Sequence, residues 1–214
     1  MKKSIRFASI ALTGLLVVLL NGCIPSLQPL YTADKLVLLN GLAAEWKQAI
    51  DQQSDNSKKP ELWAFRQGED KNYLLIHQDE DGLLAAFDVH VVKLGSHHFM
   101  DFYPGSIPED MAAVRNAPNF RDPETMNNFL KNNLIAVHTF AKVEISGKTL
   151  KINLFDPEFL KNLLERQQIR IKHEKTENGY LLTASSADLQ KFVEKYAEEK
   201  EAFLDDPILL NLKN

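Results

Sequence analysis

Residues 83–103 read LLAAFDVHVVKLGSHHFMDFY, two apolar-rich runs joined by Gly95-Ser96. In the first run the odd positions Leu83, Ala85, Phe87, Val89 and Val91 are apolar, while the even ones include Asp88 and His90. Alternation with a period of two specifies a strand with one drier and one wetter face. The two-residue link turns it back into a second strand, His97 to Tyr103, so the stretch is a hairpin. Upstream, Leu62 to Phe65 and Tyr73 to His77 flank the polar turn Gly68-Glu69-Asp70. Asp79-Glu80-Asp81-Gly82 then leads into the long strand, with Gly82 able to take positive φ. The four strands follow one another as a meander.

Downstream the pattern loosens and then recovers. Pro104 to Pro123 carries Gly105, Pro108 and Pro118 with no clear periodicity, and a connection of this length points to a functional loop or a disordered one. Asp122-Pro123-Glu124 has the chemistry of a helix start, with Met126, Phe129 and Leu130 as its apolar side. Leu134 to Ser146 reads as strand, with Ile135, Val137, Thr139, Ala141, Val143 and Ile145 on one face, and Gly147 returns it into Leu150 to Phe155. Asp156-Pro157-Glu158 opens a second helix whose stripe is Phe159, Leu160, Leu163 and Leu164. Ile169 to His173 and Tyr180 to Thr183 form a hairpin around Asn178-Gly179, and Ser185 or Ser186 caps a final helix carrying Leu189, Phe192, Val193 and Tyr196. The expected fold is α+β: a mainly antiparallel curved sheet or partly closed β-barrel with two or three covering helices.

The beginning of the chain has a different character. Lys2, Lys3 and Arg6 precede the nearly uncharged apolar run Phe7 to Leu20, which ends at Leu20-Asn21-Gly22-Cys23. Thr13, Gly14, Asn21 and Gly22 leave the run short for a membrane-spanning helix, and its plan is that of a secretory signal. The arrangement resembles a bacterial lipoprotein signal, in which the chain is cut before the cysteine and the sulfur and new amine of Cys23 carry acyl chains. Two or three such chains hold a protein in a bilayer for long periods, where one holds it reversibly. The expected division is a lipoprotein signal peptide over 1–22, a lipidated tether over 23–33, one globular domain over 34–204 and a C-terminal tail over 205–214. Pro25, Ser26, Gln28 and Pro29 mark the tether, although Leu27, Leu30 and Tyr31 are apolar enough for part of it to lie against the domain. Asp34 to Ile50 reads two ways, as a helix through Leu36, Leu39, Ala43, Trp46 and Ile50 or as entering strands.

Net charge is -4, and removing residues 1–22 with their three cations takes it to -7. That balance argues against nucleic acid as a partner and leaves no basic patch for anionic lipid. Cys23 is the only cysteine, so the fold rests on core packing without a disulfide.

Few residues carry a chemical signal. His97-His98 is adjacent, and neighbours in a strand point to opposite faces, so one regular strand does not bring both to one ion. His97 and Asp101 share a face, as do Asp88 and His90, yet no HExxH or histidine–cysteine spacing accompanies them. We therefore expect no metal and no cofactor. Asp101, set among Phe99, Met100, Phe102 and Tyr103, has the surroundings of a carboxyl with a raised pKa, a general acid if His90, His97 or His138 meets it in a cleft. The plainer alternative is a carboxylate accepting backbone or tyrosine hydrogen bonds. Gly105-Ser106 lacks the G-x-S-x-G elbow, and no glycine-rich phosphate loop is present. Trp63, Phe65, Tyr73, Phe87, Phe99, Phe102 and Tyr103 fall on successive strands and, with Asp101, are the candidate lining of one concave ligand surface.

Two resemblances bear on these readings. Ser26-Leu27-Gln28-Pro29-Leu30-Tyr31-Thr32, then Trp46, the Trp63-x-Phe65 strand, Lys93-Leu94-Gly95 and Phe99 to Pro104 together resemble a group of uncharacterised bacterial lipoproteins, which implies no activity. A looser likeness is to lipocalin-like barrels, whose first strand carries Gly-x-Trp; here Ala44-Glu45-Trp46 replaces the glycine. The functional expectation is a lipid-anchored envelope protein, non-enzymatic, binding a small apolar ligand or an envelope component. A structural or interaction lipoprotein without a pocket, and an envelope hydrolase, stand as alternatives. Ile24 is not the aspartate that, in the sorting rule of enteric-type bacteria, retains a lipoprotein in the inner membrane. An outer-membrane position facing the periplasm is expected where the source has an outer membrane.

Overall fold

The computed structural model describes residues 23–49, 59–120, 134–177 and 179–213. The signal segment 1–22, the polar loop at Ser54, Asn56 and Ser57, the helix opened by Asp122-Pro123-Glu124, and Asn178 lie outside the described residues.

Eight antiparallel strands close into a barrel in the order β1-β10-β7-β6-β5-β4-β3-β2. They are β1 (Glu45–Gln48), β2 (Leu62–Gln67), β3 (Asn72–Gln78), β4 (Leu84–Leu94), β5 (His97–Pro104), β6 (Thr139–Ser146), β7 (Thr149–Leu154) and β10 (Ile208–Leu212). A separate hairpin pairs β8 (His173–Thr176) with β9 (Gly179–Leu182). Among the described residues three α-helices accompany them: the single turn α1 (Ala112–Arg115), α2 (Pro157–Glu165) and α3 (Ser186–Lys195). Closure leaves none of the eight strands with an unpaired edge, which is the physical reason the sheet curls.

The β4–β5 hairpin sits where the alternation placed it, with Val89 opposite Phe102 and Val91 opposite Met100. Those four side chains point inward and join Trp46, Tyr73, Leu75, Val143 and Leu150 in the barrel core. The expected wetter face of β4 holds only at Asp88. His90, Val92 and Leu94 on that side are buried, because an outer layer of Ile24, Leu30, α2 and α3 covers them. Gly82 takes φ +84 and donates its N–H to the Asp79 carbonyl at 3.0 Å, closing the β3–β4 turn. Gly105 is needed for a different reason: a Cβ there would lie 2.8 Å from the backbone nitrogen of Asp88, where the chain leaving β5 crosses β4.

The helices form where their caps are. Asp156 accepts from the Glu158 N–H at 2.9 Å with Pro157 in the first turn of α2, and Ser185 Oγ accepts from the Asp188 N–H at 3.3 Å at the start of α3. Leu160 and Leu163 of α2, and Leu189, Phe192 and Val193 of α3, pack on the outer side of the barrel around Phe99, Phe140 and Phe155.

Four sequence expectations need correction. Residues 205–214 are not a tail: Ile208–Leu212 is β10, which pairs with both β1 and β7 and shuts the barrel. Its alternation is present, Leu210 fully buried between exposed Leu209 and Asn211, but five residues after Asp205-Asp206-Pro207 carry little signal. Of the two readings of Asp34 to Ile50, the strand one holds and needs no correction: β1 forms there, with no helix among its described residues; Trp46 faces the barrel core, and its Nε1–H donates to the Leu42 carbonyl at 3.0 Å. The strand expected from Leu134 begins at Thr139, and the hairpin expected at Ile169 to His173 begins at His173. The fourth correction concerns residues 23–33, which are part of the core.

Candidate functional site

Ile24 is 1% exposed, and Ser26 and Leu30 are 0% exposed. The segment is stitched down on both sides: the Ser26 N–H donates to the His138 carbonyl and the His138 N–H to the Ser26 carbonyl, each at 2.8 Å. On the other side the Leu27 N–H donates to the Leu182 carbonyl, and the Leu182 N–H to the Pro25 carbonyl, at 2.9 Å. Residues 24–32 are therefore a belt laid between the barrel at β6 and the hairpin at β9. From there the chain runs on over β4, where the Val37 N–H donates to the Val91 carbonyl at 2.9 Å. Leu42 then enters the barrel core. The apolar residues that make this stretch a poor linker are what bury it.

A buried acid holds the belt. Asp101 on β5 is 0% exposed and has two partners: its Oδ2 accepts the Leu30 N–H at 2.5 Å, and its Oδ1 accepts from His138 Nδ1 at 2.7 Å. A carboxylate only accepts, so the pairing assigns the hydrogen to His138 Nδ1. Gln190 of α3 completes the clamp, donating from Nε2 to the Leu30 carbonyl at 2.9 Å and to Thr32 Oγ1 at 3.1 Å. Rings pack around it. Tyr31 stacks on His90 with centroids 3.8 Å apart, and Tyr103 lies 4.5 Å from the His138 ring. His90 Nδ1 is 3.7 Å from Asp88 Oδ2. Burial pulls the His90 imidazole below its ordinary 6.5, with Asp88 and Asp101 opposing that shift. Desolvation and then the Asp101 and Asp88 charges push the Tyr31 hydroxyl up.

Asp101 and His138 do converge, as a hydrolase would require. Both carboxylate oxygens are committed, however, and among the described residues no serine, threonine or cysteine side chain bonds His138. The arrangement is that of a structural clamp.

The eight candidate ligand residues do not share one surface. Trp63, Phe65, Tyr73 and Phe102, with Phe87 packed against them, belong to the barrel interior, whereas Phe99, Asp101 and Tyr103 point to the outer layer or surface. Alternation along β5 divides them, since Phe99, Asp101 and Tyr103 interleave with Met100 and Phe102. The inward set, with Trp46 and Met100, fills the barrel. At its mouth Glu61 accepts from Trp63 Nε1 at 3.0 Å and pairs with His77 Nε2 at 3.2 Å, which holds the Glu61 carboxyl below its usual range. On the outside, an open cleft of about 690 Å³ is lined by Arg66, Asn72, Asp88, Tyr103, Gly105 and Asp110, among others. Four of its polar side chains engage one another: Arg66 meets Asp110 at 2.7 Å and Asn72 donates to Asp88 at 2.9 Å. His97 pairs with Glu198 at 2.7 Å, and among the described residues no group of three histidine, cysteine or acidic side chains is placed to hold a metal ion.

Cys23 lies at the start of the belt. It is half-buried beside Pro157 and Lys161 of α2 and Tyr180 of β9, around a hollow of about 70 Å³, and burial raises its thiol pKa. Sequence reasoning names Asp101 and His138, and from Leu27, Leu30 and Tyr31 it lets part of the tether lie against the domain, but it misses Gln190 and the full burial of the belt. Compared with known proteins, the chain matches no family model, no curated protein and no solved structure.

Proposed function

We propose that this chain is a lipid-anchored protein of the cell envelope, attached through acyl chains on Cys23, whose barrel is a non-enzymatic binding module. The observation that carries the reading is the place of Cys23: the only cysteine of the sequence ends the apolar run Phe7 to Leu20 and heads the belt, half-buried next to Ile24. The segment before it has a positive start and an apolar run, which suits removal at Cys23. A filled interior favours an envelope component bound at the outside over a small apolar ligand held within, since a guest inside would have to displace Trp46, Tyr73 and Met100, each 1% exposed or less. The outer membrane, facing the periplasm, is the corresponding location in a cell that has one.

Mass spectrometry of the protein purified from native membranes tests this. The expected mass is that of residues 23–214 plus acyl chains, with the added mass on the Cys23 peptide. An intact N-terminus or an unmodified Cys23 would sink the proposal.

A further inference from the structure

Resting on the reading that an envelope component is bound at the outside, we infer that the hollow between α3 and residues 168–171 is a site for a phosphate ester: Arg170, Lys191 and Lys195 hold the phosphate, and Ile171, Phe192 and Tyr196 take the apolar part of the ligand. Acylation of Cys23 plays no part in it. Local structure sets the walls. Gln167 takes φ +55 after α2, and the Gln168 N–H donates to the Leu163 carbonyl at 2.8 Å, which turns the chain back along α3. Ile171, 8% exposed, and Phe192, 6% exposed, make an apolar floor. The hollow is about 280 Å³, at the lower edge of ligand pockets, which run upward from about 300 Å³. That holds a headgroup and not a whole lipid.

Charge is the first support. Lys191 and Lys195 are one turn apart on α3 and share a face, and Arg170 meets them from the opposite wall. Asp188 is the one acid of the lining, and it is already occupied: Oδ1 accepts from Lys191 at 3.1 Å and Oδ2 from the Ser185 hydroxyl at 2.9 Å. Arg170 and Lys195 have no ion pair among the described residues. Three cations thus face one acid in a chain of net charge -4. The sequence does not show this reversal of sign, because Arg170 lies before β8 and the lysines on the helix after β9. A local positive field in a concave place draws an anion. The second support is a donor without a task. Tyr196 lines the hollow and is 9% exposed, with Lys195 Nζ 4.8 Å from its ring centroid; among the described residues nothing bonds its hydroxyl, which stays open to solvent. One guanidinium fork satisfies a carboxylate. A fork, two ammonium groups and a phenol are the donors that a tetrahedral oxyanion with several free oxygens can use.

Calorimetric titration tests this on the full-length product purified from membranes in a non-ionic detergent, at low salt, with inorganic phosphate, glycerol phosphate and dihexanoylphosphatidylglycerol as probes. We expect all three to bind, and to bind more weakly as salt is added. Arg170→Ala combined with Lys195→Ala, both at exposed positions, should weaken glycerol phosphate binding at least about tenfold, as for the loss of charge-assisted hydrogen bonds. Tyr196→Phe should weaken it about threefold. Binding of the lipid analogue about tenfold tighter than glycerol phosphate identifies a lipid headgroup as the source, and equal affinities identify a soluble ester. No heat with any phosphate probe at about 10 mM, or binding unchanged in the double variant, overturns the inference. A short polyglutamate peptide bound more tightly than every phosphate probe also overturns it, and gives the hollow to an acidic protein partner. An unmodified Cys23 in the mass spectrum of the same preparation sinks the envelope reading alone and leaves the measured phosphate binding standing.

Discussion

Asp101→Ala removes the one side chain that joins the belt, the barrel and His138. Asp101 is 0% exposed and accepts two hydrogen bonds, from the Leu30 N–H at 2.5 Å and from His138 Nδ1 at 2.7 Å. Without it, both donors stay buried with no acceptor, and each such group costs about 1–3 kcal/mol. The two share a site, so their costs do not simply add; together they come to roughly 2–5 kcal/mol. For a domain of this size that corresponds to a fall in Tm of about 5–15 °C. Urea unfolding followed by tryptophan fluorescence reads it directly: the midpoint moves down while the m-value stays, since no large surface is newly exposed in the native state. Hydrogen exchange locates the loss, with the Leu30 and Ser26 amides losing protection ahead of the barrel strands. A midpoint shift equivalent to less than about 0.5 kcal/mol would refute the reasoning, for it would mean that the clamp contributes no more than an ordinary surface position.

Stability should fall in acid in two steps. His90 is held below 6.5 and His98 likewise, by burial, so the unfolded chain binds protons first and unfolding free energy drops as pH falls through 6.5. Glu61, held below 4.5 by its bond to His77, adds a loss that starts only below that pH. Urea midpoints across the range check this: His90→Gln should flatten the upper step without abolishing it, and a midpoint constant down to about pH 5 would contradict it. Gly105→Ala places a methyl 2.8 Å from the Asp88 nitrogen, and should cost about 1–3 kcal/mol by the same urea assay, an unchanged midpoint counting against the close approach. Ending the chain after Asp206 removes β10 and its pairs with β1 and β7; circular dichroism and gel filtration should show an open, aggregation-prone product, and a soluble folded monomer would disprove its role in closure.

The parts of the fold legible in sequence were those with long local patterns. Leu84 to Pro104 is 11 and 8 residues of strand around a two-residue turn, and both described long helices carry a cap, Asp156 or Ser185, that the residues announce. What could not be read was closure. Trp46↔Leu212 and Leu30 to Asp101 are contacts between segments far apart in the chain, and no periodicity within either partner records them. The belt was misjudged because Pro25 and Pro29 look like a linker's residues. Proline in fact suits a segment that has only some of its N–H groups to satisfy, and here Ser26, Leu27 and Leu30 supply the donors. For the site, the sequence singled out Asp101 rightly as unusual, but its partners came from β6, α3 and the belt, which only the folded chain brings together.

The seam between β1 and β10 also sets the order of assembly. Trp46 pairs with Leu212 and Gln48 with Leu210, so a strand near the start of the described chain waits for one at its end. The barrel cannot close before Ile208–Leu212 is available; until then β1 and β7 stand as open edges beside a core of aromatic side chains. Pairings across such sequence distances form slowly compared with local hairpins. The meander β2–β5 is local and can form first, which leaves the final strand as the step that converts a sticky intermediate into a finished molecule. Substitutions at the exposed β10 positions Leu209 and Asn211 should therefore lower yield more than they lower the stability of what does fold.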